Sequence, residues 1–213
     1  LDRESLTELS ARRALVMLED FPGDDAQAMA DSVLASGARQ ALVAEVLYRR
    51  GVGLLVKADY PAAERLFRQL VEDYPSSTLY GDACFKLGSA YYMMQKYQDS
   101  AINFGLAVSS GKPSLVKDAL FNYSLALEQT GDFRKAAEAC QTLAWRFPYG
   151  DQFERALVRT GYCLQQAGSA AEAIPVYNGL LQYSDKSETL AETRYWIGEA
   201  FAQLGDHERA ACE

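Results

Sequence analysis

The sequence predicts an all-α protein, a right-handed α-solenoid of stacked antiparallel helix pairs. Three observations predict it: a repeat of fixed period, two columns of small residues, and helix-stopping residues between the repeats. Five segments align without a gap, and their starts are 37, 36, 37 and 37 residues apart. A period of this size is typical of stacked supersecondary units rather than of one globular fold. The aligned segments are 47–67, 84–104, 120–140, 157–177 and 194–213.

Small side chains fill two columns of this alignment, twelve residues apart. Antiparallel helices approach closely only where side chains are small, so the columns predict a helix crossing in each repeat. Turn-prone stretches such as 130–132 lie between the columns and separate the two helices of a repeat. The first column is Gly51, Gly88, Ser124, Gly161 and Gly198, and the second is Ala63, Ser100, Ala136, Ala173 and Ala210.

The boundaries of the second helices are marked at both ends. Asp59, Asp132 and Asp206 each precede a second helix, where a carboxylate accepts hydrogen bonds from free amides and suits the helix dipole. Bulky side chains, Tyr60, Tyr97 and Phe133, open these helices. The helices are predicted to end at 74–75, 111–113 and 147–150, because each of these stretches contains a proline.

These residues resemble the tetratricopeptide repeat. The family signature is a Gly in the first helix, an Ala in the second, an aromatic residue four positions later and a closing Pro; the first clear repeat has Gly51, Ala63, Phe67 and Pro75. The match covers residues 44 to 213. It departs from the family in its longer period and in lacking the signature Trp at positions 47, 84, 120, 157 and 194.

The register sets the predicted domain organisation. Residues 1–43 form an amino-terminal helix pair, a degenerate repeat or a cap, with one helix over 3–20, a break at 21–23 and a second helix that Asp24 or Asp25 caps and 36–37 ends. Five repeats follow, at 44–80, 81–116, 117–153, 154–190 and 191–213, the last of them truncated.

A narrower resemblance concerns the setting of the protein. Residues 71–104 and 145–168 are similar to bacterial envelope proteins, namely the Tol-Pal-associated periplasmic repeat protein and the outer-membrane lipoprotein BamD. The resemblance implies a periplasmic protein, or a lipoprotein of the outer membrane whose signal or anchor lies outside this sequence. It fixes no activity.

Composition excludes several classes of protein. Hydrophobic residues make up 49% of the chain, which is enough for a core, and the net charge of −8 comes without a Lys/Arg cluster. A nucleic-acid partner is therefore not expected, and an anionic membrane surface would repel the chain. No apolar run approaches the roughly 20 residues that span a bilayer.

Four cysteines, 84, 140, 163 and 212, occupy different repeats without metal-binding spacing. We expect small buried apolar residues in mid-helix positions, with a Cys140–Cys163 pair as the alternative. Unpaired thiols favour a reducing compartment, so a cytoplasmic location stays open beside the periplasmic one.

Catalysis is not expected. The single histidine, His207, falls in the column of Tyr60, Tyr97 and Phe133 and is interpreted as a packed or half-exposed spacer. No nucleophile, zinc or phosphate motif occurs. No metal or cofactor site is predicted.

The first helices supply the candidate partner-binding site. In tetratricopeptide arrays these helices line a concave groove, which the register assigns here to four columns. The columns are Tyr48, Phe85, Phe121, Val158 and Tyr195; Val52, Ser89, Leu125, Tyr162 and Glu199; Leu55, Tyr92, Glu128, Gln165 and Ala202; and Val56, Met93, Gln129, Gln166 and Gln203. The candidate partner-binding residues among them are Tyr48, Phe85, Tyr92, Met93, Phe121, Gln129, Tyr162 and Tyr195.

Two interpretations of these columns stay open. They pack internally, or they bind a protein segment through exposed aromatic and Met side chains. Because the columns carry no Lys or Asn to grip a peptide carboxyl terminus, an amphipathic helix or apolar peptide is the expected ligand. The predicted function is a non-catalytic scaffold or adaptor. The alternatives are a homo-oligomer and a protein that holds a small apolar ligand near Tyr92, Met93 and Tyr162.

Overall fold

The computed structural model describes residues 3–20, 24–35 and 40–212, and within these ranges all regular structure is helical. The all-α class of stacked helix pairs is therefore confirmed. The helices are α1 (Arg3–Asp20), α2 (Asp24–Ala35), α3 (Gln40–Val56), α4 (Tyr60–Asp73), α5 (Tyr80–Met93), α6 (Tyr97–Ser109), α7 (Pro113–Gln129), α8 (Phe133–Arg146), α9 (Asp151–Gln166), α10 (Ala170–Tyr183), α11 (Ser187–Gln203) and α12 (His207–Ala210).

The helices form two compact units, Leu1–Val116 (unit 1) and Lys117–Glu213 (unit 2). In unit 1, α3 packs on α4 and α5 on α6; in unit 2, α9 packs on α8 and α10, and α11 on α12. Each unit is thus built from antiparallel helix pairs of the predicted kind. No described helix is long and apolar enough to cross a membrane.

The glycine column marks the helix crossings, as predicted. A Cβ atom added to Gly51 would lie 2.7 Å from the Phe67 ring, and one added to Gly161 would lie 2.3 Å from the Tyr177 ring. Gly88 meets Phe104 in the same way, at 2.9 Å. Each aromatic ring is buried and occupies the volume that a side chain on the first helix would need. The glycine and the aromatic residue sixteen positions later are therefore one packing unit.

The repeat over α7 and α8 has different residues at both positions of this glycine–aromatic pair. Ser124 replaces the glycine and Cys140 replaces the aromatic residue, and both are fully buried. The Ser124 hydroxyl donates to the carbonyl oxygen of Phe121 at 2.7 Å, so the added polar atom has a partner. A larger residue on one helix is compensated by a smaller one on the other.

The three predicted aspartate caps are confirmed. The Asp59 carboxylate accepts from the Ala62 amide at 3.1 Å, and Asp206 accepts from the Arg209 amide at 3.1 Å. Asp132 accepts from the Lys135 amide at 3.4 Å. Each cap contributes about 1 kcal/mol to the stability of its helix.

The predicted helix ends are correct at two of the three prolines. Helix α4 ends at Asp73 before Pro75, and α8 ends at Arg146 before Pro148. Pro113 instead begins α7, where its missing amide hydrogen costs nothing because the first amides of a helix have no intrahelical acceptor. The preceding helix ends earlier, at Ser109, ahead of Gly111 with φ +72°.

At the amino terminus, α1 covers the predicted range 3–20, and Ala11 and Ala14 pack with Val33 of α2 and Val46 of α3 in a buried cluster. The predicted break at 21–23 and the predicted stop at 36–37 lie outside the described residues.

The turn inside each repeat contains one residue with left-handed backbone. Gly131, Gly168 and Gly205 fill this position in the later repeats, but Ala58 (φ 58°) and Gln95 (φ 60°) fill it in unit 1. A side chain at such φ clashes with the following carbonyl, so these two turns are strained.

We expect Ala58→Gly and Gln95→Gly each to raise the free energy of unfolding by about 0.5 to 1 kcal/mol, because glycine adopts this conformation without strain. Chemical denaturation measures the change, with Gly131→Ala as the matched reverse substitution, which should destabilise. A loss of stability in Ala58→Gly would contradict the assignment of strain to this turn.

Candidate functional site

Three aromatic residues of the first helices in unit 1 pack on aromatic residues of the second helices. Tyr48 meets Phe67 edge-on at 5.9 Å between ring centroids, and Phe85 meets Phe104 at 5.4 Å. Tyr92 meets Tyr97, the first residue of α6, at 5.2 Å. Tyr48, Phe85 and Tyr92 are half-buried, so each contributes one edge to the core and one to the surface.

Burial also shapes the electrostatics here. Burial, followed by the negative charge of Asp82, raises the pKa of the Tyr48 hydroxyl, which therefore stays protonated at neutral pH.

The exposed apolar side chains of unit 1's first helices lie at their carboxyl ends. Met93 is 57% exposed at the end of α5, and Val56 is 83% exposed at the end of α3. Both belong to the fourth predicted column. A Met side chain is flexible and adapts to irregular apolar partners, so this end of the helices offers contact area that the core does not use.

In unit 2, aromatic and cationic side chains of three successive first helices form two contact groups, which we name together the aromatic–cation row. The row begins at the half-buried Phe121 ring of α7, which two guanidinium groups of α9 approach, Arg155 at 5.5 Å and Arg159 at 5.7 Å from its centroid. Tyr162 follows Arg159 on the same face of α9 and packs on Trp196 of α11 at 5.3 Å. Trp196 in turn packs on Tyr195 at 5.1 Å. The aromatic–cation row is Phe121, Arg155, Arg159, Tyr162, Trp196 and Tyr195.

The members of the row differ in exposure. Tyr195 is 59% exposed, Arg155 is exposed, and Phe121, Tyr162 and Trp196 are half-buried. Gln129, the remaining predicted site residue, is exposed at the end of α7. The row thus combines packed ring edges, which hold its geometry, with exposed faces that a partner can contact.

One cation of the row is already paired. The Glu128 carboxylate accepts from Arg159 Nε at 3.1 Å and from Nη2 at 2.7 and 2.6 Å. The Glu128 side chain is only 10% exposed, against 31% for Arg159. Burial alone would lower the pKa of Arg159, but its hydrogen bonds and ion pair with Glu128 reverse this, so that the pKa is raised. This ion pair links α7 to α9.

Two buried thiols, Cys140 and Cys163, lie near the ion pair of Glu128 and Arg159. Burial raises the pKa of Cys140 to about 11, with the charges of Arg159 and Glu128 also acting on it. Burial, followed by the charge of Glu128, raises the pKa of Cys163 as well. Protonated buried thiols are poor nucleophiles, so these cysteines behave as packing residues.

Three of the four cysteines are buried as predicted, and all four are free thiols. Cys212 is the exception, because it is exposed and follows α12 instead of lying within a helix. His207 is exposed at the start of α12.

Two residues of the predicted columns are buried. Val158 is 9% exposed, and Gln165 is 4% exposed with its Oε1 atom accepting from the Tyr177 hydroxyl at 2.6 Å. The Gln165 amide nitrogen has no hydrogen-bond partner. For these two positions the internal-packing interpretation applies.

The four predicted columns do not include several aromatic and cationic residues that lie on the surface. Arg155 and Trp196 lie one position or one turn away from column members, and only the contacts with Phe121 and Tyr162 reveal them. Trp145 (82% exposed) and Tyr149 (79% exposed) lie at the end of α8 and in the following turn. Their aromatic character beside Pro148 was visible in the sequence, but their exposure was not.

Two cavities lie in the described part of the chain, and the second of them is lined by Tyr195 of the aromatic–cation row, with Glu199 and Ala202 of the predicted columns. One of about 580 Å³ in unit 1 is lined by residues at the start of α3 and in the turn after α4, and one of about 310 Å³ in unit 2 lies along α11. Neither is lined by Tyr92, Met93 or Tyr162, the residues of the small-ligand hypothesis.

Family models cover two stretches of the chain. Models described as tetratricopeptide repeat match residues 45–77 and 85–151. These stretches are therefore similar to the tetratricopeptide repeat, the resemblance that the Gly and aromatic columns indicated. The finer resemblance to Tol-Pal-associated proteins or BamD has no such support. No curated protein matches the chain.

Solved structures share the fold. A crystal structure of MamA AMB-1 superposes with a TM-score of 0.64 at 15% identity, over 87% of this chain and 96% of that one. Another MamA structure gives 0.63 at 16% identity, over 79% and 86% of the two chains. Nearly identical TPR-like repeats from Podosopora anserina give 0.58 at 13% identity, over 78% and 88%. These likenesses establish the helical-repeat fold.

Proposed function

We propose that this chain is a non-catalytic scaffold that binds a protein segment on the first-helix faces of its repeats. The aromatic–cation row of unit 2 carries the proposal. Half-exposed aromatic rings along three successive helices offer large contact areas that are already held in place, and such residues dominate the energetics of protein recognition. In unit 1, Met93 and Val56 add exposed apolar side chains that a partner can contact.

The repeats themselves support this function. A tetratricopeptide repeat places its glycine and its second-helix aromatic residue in the core, which leaves the outer edge of the first helix free to vary. In this chain the free edge carries Tyr48, Phe85, Phe121, Tyr162 and Tyr195. The proposed ligand is an amphipathic helix or an extended peptide that covers such edges within one unit.

For the setting, we propose a complex of the bacterial cell envelope, with the chain in the periplasm and an anchor, if the protein is a lipoprotein, outside this sequence. The support is the resemblance of residues 71–104 and 145–168 to envelope repeat proteins. A cytoplasmic scaffold is the alternative. Release of the protein by osmotic shock of the source cells distinguishes the two locations.

Partner capture tests the binding face. We expect Met93→Glu combined with Tyr195→Glu to lose a partner that the wild-type chain captures from an extract of the source cells, because a charge replaces an apolar contact in each unit. Both residues are more than half exposed, so the fold should be unaffected. Quantitative mass spectrometry of the captured proteins gives the readout.

The matched control places the same substitutions on second helices. Ile102 (59% exposed, α6) and Trp145 (82% exposed, α8) supply one exposed apolar residue in each unit. Loss of the partner in Ile102→Glu/Trp145→Glu but not in Met93→Glu/Tyr195→Glu would move the site to the second helices. Capture of further copies of this chain alone would indicate self-assembly instead.

A further inference from the structure

We propose that the aromatic–cation row binds an acidic segment of the partner, with the side chain of Arg155 pairing with its Asp or Glu carboxylates. The inference rests on the proposed function and names the chemistry of the ligand for one part of the site. The net charge of the chain is −8, so a local surface that favours anions is a departure from its general character.

The first step is that Arg155 has no anion of its own. Arg159, four residues later, is held by Glu128, but no carboxylate among the side chains that the structure describes pairs with Arg155, whose guanidinium lies 5.5 Å from the Phe121 centroid. The side chain is exposed. Its positive charge is therefore available to a ligand.

The contact with Phe121 leaves the donors of Arg155 free. A guanidinium group that stacks on an aromatic ring contacts the ring through its own flat face, so the N–H groups at the edge of the guanidinium can donate to a ligand. Those N–H groups match a carboxylate in the bidentate arrangement. Contact with Phe121 thus restrains Arg155 before any ligand binds, which lowers the entropy cost of pairing.

The third step is a second cation close by. Lys117 lies one helical turn before Phe121 on α7, and its ammonium group is 5.9 Å from the centroid of the Phe147 ring. No carboxylate among the described residues pairs with Lys117 either. Positive charges therefore flank Phe121 from α7 and from α9, each next to an aromatic ring that can take an apolar side chain of the ligand.

Two exposed carboxylates oppose an acidic ligand near the row. Glu199 lies one turn after Tyr195 on α11, and Asp118 lies directly after Lys117 and three residues before Phe121. An acidic ligand should be weakened by both, so Asp118→Asn is expected to tighten binding where Arg155→Gln loosens it. A pair of substitutions with opposite effects separates charge complementarity from a general loss of structure.

The test uses a peptide of alternating Glu and Leu residues that carries an uncharged dansyl label at its amino end and an amide at its carboxyl end, and the same peptide with Gln in place of Glu. Amidation removes the terminal carboxylate, so that only side chains can supply the anion. We expect the full chain to bind the Glu peptide in fluorescence anisotropy, more weakly at higher salt, and the Gln peptide at least about tenfold more weakly.

The variants complete the test. Arg155→Gln should weaken the Glu peptide about tenfold and leave the Gln peptide unchanged. Arg65→Gln, the same charge change at an exposed position of α4 in unit 1, should change neither. Thermal unfolding monitored by circular dichroism confirms that the variants are folded.

Equal binding of the two peptides, no binding of the Glu peptide, or insensitivity to Arg155→Gln would overturn the proposal. Arg155-dependent binding to vesicles containing anionic lipids, with none to the peptide, would overturn it in favour of a membrane ligand. Failure of the acidic-ligand proposal can be told from failure of the scaffold function. Partner capture that depends on Met93 and Tyr195 but not on Arg155 would contradict the former and support the latter.

Discussion

Gly161→Ala is expected to lower the free energy of unfolding by about 2 kcal/mol, although alanine is the better helix former. The added Cβ would lie 2.3 Å from the Tyr177 ring, which is fully buried and tied to Gln165 by its hydroxyl. Overpacking of this kind costs about 1 to 3 kcal/mol and occasionally more, which exceeds the roughly 1 kcal/mol gained in helix propensity. Denaturant unfolding monitored by circular dichroism measures the loss.

Gly179→Ala is the matched control, because no atom lies within 4 Å of a Cβ added there and the substitution should stabilise α10. The repeat with Ser124 and Cys140 suggests a rescue. Tyr177→Cys alone should cost about 3 kcal/mol through the cavity it leaves, and adding Gly161→Ser should recover part of this loss. Simple additivity of the two substitutions would contradict the description of the glycine and the aromatic residue as one packing unit.

Arg159→Met is expected to destabilise the chain by about 3 kcal/mol, since it leaves the Glu128 carboxylate buried without its cation. Glu128→Gln should cost less, about 2 kcal/mol, because the Arg159 guanidinium is partly exposed and keeps its contact with Phe121.

The double variant Glu128→Met/Arg159→Met provides the control. Replacing both charged partners removes the ion pair and the desolvation cost together, so its stability should lie within about 1 kcal/mol of the wild type. Unfolding by urea of the wild type, Arg159→Met, the single variant Glu128→Met and the double variant gives the coupling energy. A double variant as unstable as Arg159→Met would show that the guanidinium acts through packing and not through Glu128.

Much of the fold could be predicted because it depends on local rules. Asp59, Asp132 and Asp206 cap helices through contacts three residues away, and Gly51, Gly88 and Gly161 must be small wherever two helices cross. These requirements recur at a fixed period, so the alignment of the repeats makes each one visible several times. Pro113 was misplaced because proline tolerates the first turn of a helix as well as the region beyond its end.

The candidate site was less predictable, for a physical reason. A column in the alignment states which face of a helix a residue occupies, but exposure depends on the size of side chains on neighbouring helices. Val158 is therefore buried although Tyr195, in the same column, is exposed, and Gln165 is buried although Ala202, in its column, is exposed. Long side chains add a second difficulty, because Arg155 crosses from α9 to the Phe121 ring of α7 and so joins a surface that its own column does not define.

The central claim, that the first-helix faces bind a protein partner, is tested most directly by site-specific photocrosslinking in the source cells. A benzophenone amino acid is placed at Met93 or Tyr195 on the first helices, and at Ile102 or Trp145 on the second helices. We expect the first two positions to crosslink to a common protein partner and the last two not to. Crosslinks from Ile102 and Trp145 alone would contradict the central claim.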